Sequence, residues 1–270
     1  MLTIEQDEGL TVESFPANTL LGEDDPPPFR ATPGSVTSPF VITCDHAGNR
    51  LPRSLGTLGL SSTELASHIA WDIGAARVSA KLAAALNAFL IVQTYSRLVI
   101  DCNRPLDAPS SIARQSELTV VPGNQSVSPA DAEMRARAVF HPYHECIRQE
   151  LDRREAQRQP AIFVAMHTFT PRFLGLARPW HAGVLYNRDP RLGRALLALL
   201  RCDNALIVGD NEPYSVSDLT DYGLIHYGER RGIPHVEIEI RQDLVSDDAG
   251  QAAWSERLAT LLREASKTFL

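Results

Sequence analysis

Three common catalytic signatures are missing from this 270-residue chain, which has no G-x-S-x-G elbow, no G-x-x-x-x-G-K and no G-x-G-x-x-G. Serine-hydrolase, P-loop and dinucleotide chemistry therefore lose their usual support. Cysteine is scarce: Cys44, Cys102, Cys146 and Cys202 are widely spaced, with no C-x-x-C pair. They read as buried free thiols, which fits a reducing cytoplasm. Positive charge is also in short supply, with 26 Lys and Arg against 33 Asp and Glu and a net charge of −7. Arginines and acids are interspersed and form no basic patch, so a nucleic-acid partner is not expected and a small molecule is. No apolar run approaches the ~20 residues needed to cross a bilayer, and the amino terminus lacks the basic-then-apolar order of a signal peptide. The expectation is a soluble, cytoplasmic protein without a membrane partner.

What is present is a chain that is 44% hydrophobic, enough to bury one large core. Residues 1–38 carry Glu23-Asp24-Asp25-Pro26-Pro27-Pro28 and little periodicity. They read as an acidic, Pro-rich arm ahead of a single α/β domain over residues 39–270. From Pro39 onward, apolar β-like runs at 39–44, 89–94, 97–101, 161–166, 182–187, 205–209 and 235–241 alternate with helical patterns. That alternation predicts a largely parallel sheet covered by helices on both faces. Ser61-Ser62-Thr63-Glu64 has the form of a capping box, and Val78, Leu82 and Leu86 recur at one-turn spacing. Ser128-Pro129 opens a long polar helix to about Arg158, with Val139, Tyr143, Ile147 and Leu151 along one stripe. Residues 106–127 and 209–222 lack periodicity, and loops of that length usually serve as lids or binding loops.

The chemistry-bearing residues gather at predicted strand ends, where α/β enzymes keep their sites. His46 follows Phe40-Val41-Ile42-Thr43-Cys44, and His167 follows Ile162-Phe163-Val164-Ala165-Met166. Two such histidines and a strand carboxylate, Glu239, suggest a one-metal hydrolase. Catalytic zinc commonly takes three His or carboxylate ligands and leaves a position for water. Asp72 is the first candidate for the third ligand, although an Asp opening a helix is equally an ordinary cap. Asp45 and Asn49 are reserves, and Asp45 could instead orient an imidazole. Glu237, Glu239 and Arg241 alternate with apolar residues, a costly row in a core unless paired or facing a cavity. Glu239 is therefore a candidate general base and Arg241 a candidate anion binder, with a structural Glu–Arg network as the alternative. Asn103-Arg104 could clamp a substrate carboxylate, or Asp101 and a neighbouring Arg could lock a turn.

Taken in order, Asp45-His46-Ala47-Gly48-Asn49-Arg50-Leu51-Pro52, Ser96 to Pro105, Met166-His167-Thr168, Gly209 to Tyr214 and Glu237 to Leu244 resemble the N-formylglutamate amidohydrolase family over about residues 39–250. The resemblance implies a three-layer fold with a mixed, mostly parallel sheet between helices, like that of the zinc carboxypeptidases and the phosphorylase/hydrolase-like proteins. It implies one zinc per chain at the strand ends, held by His46 and His167, with Glu239 as base and acid and Asn103-Arg104 on the substrate carboxylate. The implied reaction converts N-formyl-L-glutamate to L-glutamate and formate, late in histidine degradation. Family members assigned to that pathway carry Pro-His-Ser-Gly and Trp-His where this chain has Asp45-His46-Ala47-Gly48 and Trp71-Asp72, which places it in a divergent branch. The alternatives are a metallo-deacylase or peptidase acting on another N-acylated substrate, or a ligand-binding relative without turnover. Open sheet edges permit a monomer or a homodimer.

Overall fold

The computed structural model describes residues 20–270, so the first half of the expected arm, residues 1–19, lies outside the described residues. Seven strands form the central sheet: β1 (Phe29–Thr32), β2 (Phe40–Cys44), β3 (Phe89–Gln93), β4 (Ile162–Phe169), β5 (Ala182–Leu185), β6 (Val208–Asp210) and β7 (His235–Arg241). Their order across the sheet is β1-β3-β2-β4-β7-β5-β6. β3, β2, β4 and β7 run parallel to one another, β1 and β5 are antiparallel to their inner neighbours, and β6 is parallel to β5. The sheet is thus mixed and mostly parallel, and β2 and β3 read as apolar runs because both faces are covered, while β7 alternates apolar and charged residues.

Alternation along the strands separates two cores. Ile42, Val164, Met166, Ile238 and Ile240 point to one face and pack under α2 (Ala75–Leu86), α5 (Arg191–Leu200) and α6 (Asp248–Ser266). Val78, Leu82 and Leu86, the predicted stripe of α2, are buried in that layer. Val41, Ile91, Phe163 and Ala165 point the other way, onto Val139, Tyr143, Ile147 and Leu151. That stripe runs from a π-helical turn over Ala136–Phe140 along α4 (His141–Ala156), and the turn joins α4 without a break to α3 (Pro129–Arg135). Ser128 caps α3 through a capping box, and Ser61 does the same for the single-turn α1 (Ser62–Leu65).

Two segments differ from expectation. Residues 97–101 are not a strand. Leu98, Val99 and Ile100 are all buried, but Leu98 joins one small cluster while Val99 and Ile100 join the α4-side core, so the segment is a turn pressed inward from both sides. Its carbonyls are taken by distant side chains, Asn124 Nδ2 on Leu98 O and Arg135 Nη1 on Val99 O, which leaves no ladder for a neighbouring strand. The second difference is β1, which lies within the expected arm and extends the sheet by pairing with Leu90 to Gln93.

Candidate active site

Three strands bring their carboxyl ends together on the α3–α4 side. His46 stands two residues beyond β2. In β4, His167 is directly opposite Glu239 of β7, and Glu239 is opposite Gly183 of β5. A β-carbon on Gly183 would lie 2.0 Å from the Glu212 carbonyl oxygen. Only glycine lets the 211–222 loop come that close to β5, the neighbour of the strand that carries Glu239.

Asp72 reaches the same place from the loop before α2, its N–H donating to the His46 carbonyl at 2.9 Å. Its carboxylate caps nothing: the residue at the N-cap position of α2 is Gly74. Instead Asp72 Oδ2 lies 3.0 Å from His167 Nδ1 and 3.6 Å from His46 Nδ1, accepts the Thr168 N–H at 3.2 Å, and Oδ1 accepts from Arg97. His46, Asp72 and His167 are all buried, and one ligand atom from each lies within 4.8 Å of the others. Metal–ligand bonds of about 2.0–2.1 Å in a tetrahedral shell put neighbouring ligand atoms about 3.3 Å apart. Two of the three separations, the 3.0 Å His167–Asp72 hydrogen bond and the 3.6 Å His46–Asp72 approach, lie near that spacing, and the third pair is within 4.8 Å.

A carboxylate stands behind each imidazole. His46 Nε2 pairs with Asp101 Oδ1 at 2.7 Å, which leaves Nδ1 without a hydrogen-bond partner. His167 Nε2 faces Asp45 Oδ2 at 3.6 Å, too far for a hydrogen bond, and Asp45 is held from α4 by Tyr143 Oη at 2.6 Å. A carboxylate behind a ligand imidazole is the usual means of fixing its orientation. Burial and the Arg97 guanidinium push His46 down to about 4, so it is neutral near pH 7. Burial also draws His167 down, but Glu237, Asp45 and Glu239 outweigh it and hold the imidazole at about 10.

Buried carboxylates outnumber the arginines near them. Asp45, Asp72, Asp101, Glu237 and Glu239 are all buried, and Oε2 of Glu237 and of Glu239 has no hydrogen-bond partner. Burial raises both glutamates to about 7. Such an excess of buried negative charge is costly without a compensating cation. A divalent metal among His46, Asp72 and His167 would supply one, and the residues fit it.

The remaining sequence candidates fall around this group. Asn103 Oδ1 accepts from the Tyr222 and Gly223 N–H groups, each at 3.1 Å, and Arg104 Nη1 donates to Asn103 O and to Thr220 O. Both therefore join the 211–222 loop to the site. The Arg241 guanidinium turns to Asp243, at 2.7 and 3.1 Å, and to the Pro179 and Trp180 carbonyls, so no Glu239–Arg241 network forms. Asn49 donates to Leu65 O, away from the triad. Sequence reasoning passed over Tyr143 as a site residue because it also completes an apolar stripe.

The profile of one protein family, described as N-formylglutamate amidohydrolase, matches residues 38–246. Among solved structures, a gene product of Agrobacterium tumefaciens is 33% identical over 93% of this chain and 99% of its own, with a TM-score of 0.89. An N-formylglutamate amidohydrolase from Ralstonia eutropha JMP134 shares the fold, with a TM-score of 0.65 at 19% identity over 88% of this chain and 97% of its own. No curated protein sequence matches the chain.

Proposed function

The chain belongs to the N-formylglutamate amidohydrolase family, hydrolases acting on amide bonds, and from that premise we propose a one-metal enzyme that cleaves the amide of an N-acyl amino acid. The substrate is N-formyl-L-glutamate and the products are L-glutamate and formate, in a cytoplasmic reaction late in histidine degradation. The observation that carries this is the buried group of His46, Asp72 and His167 beside Glu239, whose buried Oε2 has no hydrogen-bond partner.

His46, Asp72 and His167 would hold the metal, and two imidazoles with one carboxylate favour zinc. When bound, zinc polarises the acyl oxygen and lowers the pKa of a water molecule to about 7. Glu239 does the proton work: held near 7 by burial, it takes a proton from the attacking water and gives it to the departing amine nitrogen. Asp101 holds the His46 ring, and Arg97 with the Thr168 N–H holds the Asp72 carboxylate, so the ligand geometry is set before substrate arrives. Arg104, seated with Asn103 beneath the 211–222 loop, takes the substrate's α-carboxylate.

A panel of N-formyl and N-acetyl amino acids presented to zinc-loaded protein tests this reading. N-formyl-L-glutamate should give the highest kcat/KM. Failure to turn over any member of the panel with one zinc bound would overturn it.

A further inference from the structure

Four arginines lie close to the candidate site, and two of them are paired with carboxylates. Arg97 is paired with Asp72, and Arg241 with Asp243. Arg104 donates to two carbonyls and sits in the field of Asp101, Asp221 and Glu237. Arg178 is different. Among the described residues no carboxylate comes within ion-pair distance of it, and its side chain hydrogen-bonds only to Tyr214 Oη, through Nη1 at 2.8 Å.

Aromatic rings fix the Arg178 guanidinium in place. Its carbon lies 4.6 Å from the centre of the Phe173 ring, 4.7 Å from Tyr214 and 5.8 Å from Phe169. Phe169 ends the strand that carries His167, and Tyr214 belongs to the loop that closes on Gly183 opposite Glu239. The Arg178 N–H donates to Pro171 O at 2.9 Å, which closes the base of the hairpin. Ring faces hold a cation and set its plane without neutralising it. The remaining N–H donors of the fork are thus oriented and free to bind an anion.

We propose that Arg178 is the specificity-determining residue that binds a second, side-chain carboxylate of the substrate. This rests on the amidohydrolase reading. In an N-acyl amino acid the α-carboxylate is fixed close to the scissile nitrogen and falls to Arg104, which Asn103 ties to the strand-end group. A distal carboxylate reaches further, toward the half-buried Arg178. Arg178 thereby selects for the side-chain charge, and an amide or alkyl side chain leaves the guanidinium without a counter-charge.

Calorimetric titration of zinc-loaded wild type, Arg178→Met and Arg178→Lys with L-glutamate and L-glutamine separates this from failure of the hydrolase reading, because it needs no turnover. Wild type should bind L-glutamate roughly 10- to 100-fold tighter than L-glutamine, the range for a charge-assisted hydrogen bond made or missing. Arg178→Met, which keeps an apolar chain against the rings, should erase the preference, and Arg178→Lys should keep part of it. Melting curves of both variants check folding. A wild type without the preference, or an Arg178→Met variant that keeps it, would overturn the proposal. Absence of N-formyl-L-glutamate turnover in wild type would instead overturn the activity reading and leave the binding result standing.

Discussion

Asp72 occupies a position where a helix cap and a metal ligand look alike in sequence, and its partners separate the two. The carboxylate leaves the helix alone and lies between two imidazoles, with Arg97 and the Thr168 N–H on its flanks. Asp72→Asn keeps the shape and removes the charge. It should lower zinc affinity at least tenfold by competition with a chromophoric chelator; unchanged affinity would return Asp72 to a structural role. Glu239 invites the complementary test. Glu239→Gln should retain about one equivalent of zinc while kcat falls by about 10²–10⁴-fold, the range for a lost general base. Because burial already raises its pKa to about 7, the neutral amide should cost the fold little. A variant that stayed active but melted earlier would mean that Glu239 serves stability alone.

Among the elements, those that position the site were legible wherever burial follows a period. β2 and β4 appear in the sequence as apolar runs and β7 as an alternation of apolar and charged residues, and the parallel register then sets His167 against Glu239. The stripe of α4 was equally clear, yet its one polar contribution was hidden inside it: Tyr143 is fully buried and sends its hydroxyl to Asp45 at 2.6 Å. Tyr143→Phe should cost about 1.5–3 kcal/mol in urea unfolding, since a charged acceptor loses its donor while the ring remains. A change below about 0.5 kcal/mol would mean that Asp45 finds another donor. The 97–101 turn was not legible because its three apolar residues are buried in two different clusters and its carbonyls bond to residues 26 and 36 positions away, as no local pattern records. β1 escaped for the opposite reason: an edge strand reading Phe-Arg-Ala-Thr, mostly exposed, carries no hydrophobic signature.

For the whole molecule, the buried charge at the strand ends links metal, pH and stability. His167 is held at about 10 in the metal-free protein against an ordinary value of 6.5. The folded chain therefore keeps a proton that the unfolded chain has lost between those values. That contribution is complete below about 6.5 and is lost as the pH rises through about 10. Glu237 and Glu239, raised from 4.5 to about 7, act in the same direction at lower pH, while His46, lowered to about 4, opposes them below 6.5. Above 6.5 the sign is set by His167. The melting temperature of chelated protein should fall between pH 7 and 10, and that of zinc-loaded protein should fall less, because the metal takes the proton's place. Parallel pH profiles would place His167 outside the metal shell. Metal reconstitution tests the central proposal most directly: the protein is stripped by chelation, titrated with zinc, and assayed for release of formate from N-formyl-L-glutamate. Activity should be absent in the stripped protein and rise linearly to a plateau at about one zinc per chain. Full activity in the stripped protein, or none with one zinc bound, would contradict it.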